Sequence, residues 1–253
     1  MIQAVFSQHK RRYGTRRIAV ELQAQGIRAG RYLVRNVLND SGLKAIQPKS
    51  FVPRTTNSQH GQRTNPNLLL DRMGKRAIPP SEPNQVWVSD ITYLPVSNGS
   101  FGYLATWLDL FSRHIVGWQV ENHMGEELVM RALDKAFNKR QPPPGLILHS
   151  DRGGQYVSAL LRVGITKHKC RQSMSRRNDT YDNAFAESLF SRFKAELLQG
   201  GCFMSLEDAQ TEIFEYIEMY YNPLRRHSSL GYQSPLEFEK NFWLTSSTSN
   251  PQP

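Results

Sequence analysis

The chain has 253 residues, of which 39% are hydrophobic, and 32 Lys+Arg stand against 22 Asp+Glu for a formal net charge of +10. That apolar content excludes a chain disordered throughout, and Cys170 and Cys202, lying in no CxxC or Cys/His cluster, exclude a disulfide framework or a zinc knuckle. No run approaches the ~18 apolar residues of a membrane span, and Lys10, Arg11 and Arg12 follow the short apolar N-terminus where a signal peptide would have them precede it, so a soluble, cytoplasmic protein is expected.

The charge is unevenly placed. Residues 1–80 hold 15 Lys+Arg and 3 Asp+Glu, whereas residues 81–253 hold 17 and 19. A basic N-terminal third joined to a near-neutral body fits a polyanion-binding module on a separate core; the same composition fits a solvated basic tail.

Residues 13–43 read as two short helices. Thr15 is placed to cap the first, with Ile18, Ala19 and Leu22 apolar and Gly26 ending it. The second runs from about Arg31 to Asn39, with Leu33, Val34, Val37 and Leu38 on its buried side, Arg31 and Arg35 on another, and Gly42 as its stop. The pair resembles a helix-turn-helix, in which Arg16, Arg17, Arg31 and Arg35 would contact DNA; a helical hairpin with a solvated basic face gives the same pattern. Gly30 stands where a capping Ser or Thr would strengthen the second helix by about a few tenths of a kcal/mol.

From Lys44 to Asn84 six prolines among Thr, Asn, Ser, Gln and Arg mark a linker or a surface-hugging arm, with Leu68, Leu69 and Leu70 as its one apolar anchor. Val86–Val96, Phe101–Leu110 and His114–Val120 then read as sequential antiparallel strands, the first two joined by an Asn-Gly turn. Glu126–Lys139 is an amphipathic helix ended by Pro142-Pro143-Pro144-Gly145. Leu146-Ile147-Leu148 suits a buried parallel strand reached by a crossover. Helices follow at Ala184–Leu198, at Ser205–Tyr221 with Ser205 and Asp208 spaced for a cap, and from Pro235 onward; Thr245–Pro253 reads as a disordered tail.

Three carboxylates stand out. Asp90 lies in mid-strand among Trp87, Val88, Ile91 and Tyr93, where an ionised group costs several kcal/mol unless compensated. Asp151 directly follows a parallel strand, where open α/β sheets place ligands. Glu187 lies in the first turn of an otherwise apolar helix segment. If they converge, oxygen-only ligands favour a hard divalent cation, and two such ions suit in-line phosphodiester displacement.

The spacing, with 60 residues between Asp90 and Asp151 and 35 between Asp151 and Glu187, joins the segments YGTRRI at 13–18, PNLLLDR at 66–72, WVSDITYL around Asp90, LDLFSRHIVGW at 108–118, LHSDRGGQYVS at 148–158, YDNAFAESLFSRFKAEL at 181–197 and YNPLRRHSSLGYQSPLEFE at 221–239. Together these closely resemble bacterial insertion-sequence transposases, specifically the downstream-frame (OrfB-type) product of the insertion sequence three family, whose cores are similar to retroviral integrase.

The resemblance implies an α/β, ribonuclease-H-like mixed five-stranded sheet flanked by helices and preceded by a small helix-turn-helix-like region. The implied organisation is a DNA-binding region over 1–43, a Pro-rich linker over 44–84, an integrase-like catalytic core over 85–200, a C-terminal helical extension over 201–244 and the tail over 245–253. It implies that Asp90, Asp151 and Glu187 are the DDE triad, holding two Mg2+ ions with Mn2+ as substitute, and that Lys194, close to two helical turns after Glu187, meets a phosphate beside them. The implied partners are the DNA of element ends and target, further copies of the chain, and an upstream-frame product or frameshift fusion; the setting is the bacterial cytoplasm at the nucleoid. A structure-selective nuclease and a non-catalytic DNA-binding regulator are the alternatives.

Other side chains receive quieter roles. Asp109 is expected to take a supporting hydrogen bond or an ion pair with Arg113, His149 to be a hydrogen-bonded core histidine, Asp182 to cap the helix of Glu187, and His227 to hold a turn. Arg176 and Arg177 are a phosphate track or solvated surface, and Arg192 points away from Glu187 and is expected to be ordinary surface.

Overall fold

The computed structural model describes residues 1–47, 64–71, 73, 79–176 and 184–248. Three helices come first, α1 (Ile2–Gln8), α2 (Thr15–Ala24) and α3 (Arg31–Asp40). They bury a small core of their own from Val5, Phe6, Tyr13, Ile18, Leu22, Val34 and Leu38. The first helix lies ahead of the pair expected from the sequence. Gly14, not Thr15, occupies the N-cap of α2, and Thr15 is already helical with no capping bond from either residue. Gly30 caps α3 without a side-chain bond, as expected. Leu33 departs from the expected buried side: it is 50% exposed, because Val34 and Leu38, four apart, already carry the contact stripe.

The five strands are β1 (Val86–Pro95), β2 (Phe101–Asp109), β3 (Ile115–Glu121), β4 (Ile147–Ser150) and β5 (Arg171–Met174), in spatial order β3-β2-β1-β4-β5. β1, β2 and β3 form an antiparallel meander, while β1 pairs in parallel with β4 and β4 with β5. The mixed five-stranded sheet expected from the resemblance is thus present. Its parallel half needs crossovers, supplied by α4 (Glu126–Arg140) and α5 (Ala159–Lys167).

Strand alternation divides the core between the two faces. Trp87, Ala105, Trp107 and Val116 pack under α4 and α5. Val86, Val88, Leu94, Leu104 and Leu108 face the other way and pack under α6 (Ala184–Leu197), α7 (Leu206–Phe214) and the π-helical turn Glu215–Tyr221. At Gly117 the α4 backbone lies directly on β3: a Cβ there would strike the Ala132 carbonyl oxygen and stand 2.7 Å from Ala136 Cβ. Ser205 caps α7 by accepting from the Asp208 N–H at 3.1 Å, and Asp208 accepts from the Met204 N–H at 2.9 Å.

The arm is docked where its leucines predict. Leu69 enters the core beside α6, the Leu68 N–H donates to Ser173 Oγ at 2.9 Å and Asn65 Nδ2 to Gln172 Oε1 at 2.6 Å, so residues 65–69 run along β5. The last helix, α8 (Pro235–Thr248), overruns the expected start of the tail: residues 245–248 are helical, and the Thr245, Ser246 and Ser247 hydroxyls donate back to carbonyls three or four residues earlier. No helix among the described residues is long and apolar enough to cross a membrane.

Candidate active site

Asp90 lies on β1 opposite Thr106 of β2, on the face that also carries Val86 and Val88. The parallel pairing of β1 with β4 runs Val86 to Ile147, Trp87 to Leu148 and Val88 to His149; two further steps in that register bring Asp90 level with Asp151. Helix α6 packs across the same face through Ala186, Leu189, Phe190 and Phe193. It brings the exposed Glu187 in from the side. Three elements distant in sequence therefore deliver one carboxylate each.

Their charges bear on one another. Burial pushes the Asp90 carboxyl up to about 8, Asp151 and Glu187 add to that rise, and the Ile91 N–H at 2.8 Å and the charge of Lys194 oppose it. Glu187 is raised by burial and by Asp151. The Asp151 carboxylate accepts from the Gly153 N–H at 2.9 Å. Lys194 is half-buried; burial lowers its pKa and Asp90 raises it, which places the ammonium on the carboxylate side of α6, as two helical turns from Glu187 require. Below Asp90, the Ser89 hydroxyl and the fully buried Tyr156 hydroxyl lie 2.9 Å apart.

The donor set consists of carboxylate oxygens with excess negative charge, which suits a hard divalent cation. Among the described residues no three His, Cys, Asp or Glu side chains are gathered closely enough to hold a metal ion, so Asp90, Asp151 and Glu187 are neighbours through their charges and not a formed ligand set.

The remaining sequence expectations divide. Asp109 is fully buried and structural: it accepts from the Asn84 N–H at 2.6 Å and from the Phe111 and Ser112 N–H groups at 3.0 Å, tying the β2–β3 turn to the start of β1. His149 is a core histidine between Ser173 Oγ at 2.8 Å and Ser175 Oγ at 3.3 Å. His227 holds a turn, its N–H donating to the Gln233 carbonyl and its own carbonyl accepting from Tyr232. Arg176 is exposed beyond β5, and Arg177 and Asp182 lie outside the described residues. On the N-terminal helices Arg16, Arg31 and Arg35 are exposed. Arg17 instead turns inward, its guanidinium 5.5 Å from the Tyr13 ring centroid.

Sequence reasoning missed a buried ion pair. Glu196, on α6, accepts from Arg225 Nε at 2.8 Å and Nη2 at 2.5 Å, and from the Tyr216 hydroxyl at 2.9 Å. Burial opposes both charges, yet the pairing leaves Glu196 lowered and Arg225 raised. The signal available was Glu196 at the apolar end of α6 with an Arg-Arg pair in YNPLRRH.

Comparison with known proteins agrees with this architecture. Residues 80–180 and 168–235 match two integrase core domain families, and residues 1–51 match an HTH-like domain. The chain is 38% identical over 239 residues to the transposase for insertion sequence element IS904 of Lactococcus lactis, covering 94% of this chain and 92% of that protein. It is 39% identical over 239 residues to the transposase InsF for insertion sequence IS3A of Escherichia coli, covering 94% and 81%. Among solved structures, the fold is similar to a chain of the simian T-cell lymphotropic virus intasome, with TM-score 0.52, 15% identity and coverage of 94% and 74%. The sheet and its helices are ribonuclease-H-like.

Proposed function

The chain belongs to the family of insertion-sequence transposases that includes those of IS904 and IS3, and from that membership we propose that its phosphodiester chemistry takes place at Asp90, Asp151 and Glu187. The observation that supports the assignment is the β1–β4 register, which brings Asp90 level with Asp151 on the face that α6 packs across; burial first, and then Asp151 and Glu187, raise the Asp90 carboxyl.

On this reading Asp90, Asp151 and Glu187 would hold two divalent cations, Mg2+ or, as a substitute, Mn2+. When bound, such ions neutralise charge on the attacking and leaving oxygens of an in-line displacement. The chain's own groups prepare the site. The Ile91 and Gly153 N–H groups fix the two aspartate carboxylates. Lys194 balances Asp90 and meets a phosphate of the DNA lying along the cleft. Asp90 must lose its proton before it can ligate, and that proton leaves to solvent.

In hydrolysis at an element end, water forms a P–O bond as the bond from phosphorus to the 3′ oxygen breaks, which leaves a 5′-phosphate on the flanking strand and frees a 3′-hydroxyl on the element. In joining, that hydroxyl attacks a second phosphodiester, forming one P–O bond as another breaks, so no energy-rich cofactor and no covalent protein–DNA link is required. The partners are element ends, target DNA, further copies of the chain and an upstream-frame product; the setting is the cytoplasm at the nucleoid. The helices of residues 1–43 position DNA and the core of 85–200 carries the reaction.

Asp90→Asn, assayed with Mg2+ on end-containing DNA, is expected to lose cleavage and joining by at least about a thousandfold while retaining DNA binding. Undiminished cleavage overturns the assignment. Cleaved products from the wild type that are never joined would turn the reading toward a nuclease.

A further inference from the structure

Helix α6 has two working flanks. At 100° per residue, Glu187 and Lys194 share one side of its buried stripe, and Phe185, Arg192 and Glu196, spaced seven and four apart, share the other. The solvent-facing ridge between them consists of Ser188, Ser191 and Ala195, which lets a strand approach the helix backbone closely.

Guanidinium groups from separate parts of the chain gather at the second flank. Arg113, in the β2–β3 turn, stacks 4.2 Å from the centroid of the Phe185 ring, and its Nη1 is buried without a hydrogen-bond partner. Arg192 is exposed on α6 between Phe185 and Glu196. Arg17 reaches in from α2 over the Tyr13 ring, and the Tyr13 hydroxyl donates to the Leu224 carbonyl at 3.2 Å and accepts from the Arg226 N–H at 2.8 Å. Arg225 lies beneath, its Nη1 3.2 Å from His227 Nε2. Burial first, and then the charges of Arg225, Arg17, Arg113 and Arg192, push the His227 imidazole down to about 2. The charges of all four guanidiniums thus reach one imidazole, which Arg225 touches.

Their counter-charge is incomplete. Glu196 is committed through both oxygens to Arg225, and Glu21 to Arg226 at 2.5 Å. Asp109, the carboxyl that Arg113 feels, already takes its hydrogen bonds from the backbone N–H groups of Asn84, Phe111 and Ser112. Aromatic stacking orients Arg17 and Arg113, and the Arg113 Nη1 is left with no hydrogen-bond partner from the protein. Planar forks with surplus positive charge match the oxygens of a phosphate.

We propose that Arg17, Arg113 and Arg192 form a binding site for a DNA backbone phosphate at the seam between the N-terminal helices and the core, on the flank of α6 opposite Glu187 and Lys194. A strand crossing the Ser188–Ser191–Ala195 ridge would be gripped on both sides of a helix about 10 Å wide, so the site sets the angle at which DNA passes the carboxylates. The choice of DNA over a free anion rests on the transposase reading; the cluster itself does not depend on it.

The test uses the full chain in EDTA with a fluorescently labelled 30-base-pair duplex of arbitrary sequence, titrated by anisotropy at several salt concentrations. Arg17→Gln/Arg192→Gln is expected to weaken binding about tenfold and to reduce the magnitude of the log–log salt slope by about two. Arg192→Gln alone, at an exposed position and so harmless to the fold, reduces it by about one. Arg162→Gln/Lys167→Gln, which removes two exposed charges from α5, keeps wild-type affinity. Equal losses in both doubles, or an unchanged salt slope in Arg192→Gln, overturn the site. Millimolar inorganic phosphate that stabilises the wild type but not the first double, with DNA affinity equal in both, would make it a free-anion site and overturn the DNA assignment. Because metal is withheld, failure here leaves the carboxylate assignment standing, and failure of the Asp90→Asn assay leaves this result standing.

Discussion

Asp90 is a carboxylate in a place that opposes ionisation. Its pKa stands at about 8 against an ordinary 3.8, because burial and then Asp151 disfavour its charge. Between roughly pH 4 and 8 the folded chain therefore retains a proton that the unfolded chain releases, and stability without metal falls as pH rises through that window. In EDTA, the wild type should lose melting temperature from pH 5 to pH 8 while Asp90→Asn loses less and melts roughly 5 °C higher at pH 8. Added Mg2+ should recover the wild type alone. Differential scanning fluorimetry reads both, and equal pH slopes would refute the account. Asp90 and Asp151 were legible in the sequence because each interrupts or ends an apolar strand, and Glu187 because the resemblance and its spacing pointed to it. Arg113 and Arg192 were not: their meaning lies in what surrounds them, and single arginines in a chain of net charge +10 carry no local signal.

At the scale of elements, the long strands and helices announced themselves, whereas β5 and α5 did not. β5 is four residues, Arg-Gln-Ser-Met, held by pairing with β4 and covered by the docked arm, so burial substitutes for the apolar alternation that a strand usually shows. α8 outran its expected end, and its last serine and threonine hydroxyls bond back to carbonyls of their own helix, where they do not compete with its backbone bonds. The same helix is fastened to the core by Glu239, whose carboxylate accepts from Arg140 Nη1 at 2.6 Å and Nη2 at 2.8 Å and from Ser112 Oγ at 2.6 Å, with His114 Nδ1 at 3.3 Å. Burial alone would raise Glu239; the bonds from His114 and Arg140 outweigh it and hold the group at about 2 against an ordinary 4.5. A depressed carboxylate stabilises the fold above its unfolded pKa and loses that contribution as pH falls from about 4.5 toward 2. Glu239→Gln should therefore cost about 3 kcal/mol at pH 7 and about half that at pH 3, by urea unfolding. A deficit independent of pH would exclude the ion pair as its source.

The whole molecule is joined across its length by contacts that the linear order conceals. YGTRRI and YNPLRRH lie more than 200 residues apart, yet Tyr13 is fully buried against residues 224–226 and stacks on His9 at 3.7 Å. Arg12 packs over Tyr216 and Tyr220 and donates to the Glu196 carbonyl at 3.2 Å. A module that would pass from sequence as a tethered basic arm is thereby held on the end of α6, the helix that also carries Glu187. Tyr13→Phe keeps the ring and its stacking but removes a hydroxyl that serves two partly buried backbone groups at the seam, the Arg226 N–H and the Leu224 carbonyl. Leaving them unsatisfied should cost about 1–3 kcal/mol. Because the hydroxyl spans the seam, hydrogen exchange should accelerate at Arg226 and through α1–α3 while the amides of β1 and β2 keep their protection. Acceleration spread evenly over both regions would mean that the helices and the core unfold as one unit, and no acceleration at Arg226 would mean that the hydroxyl does not fasten the seam.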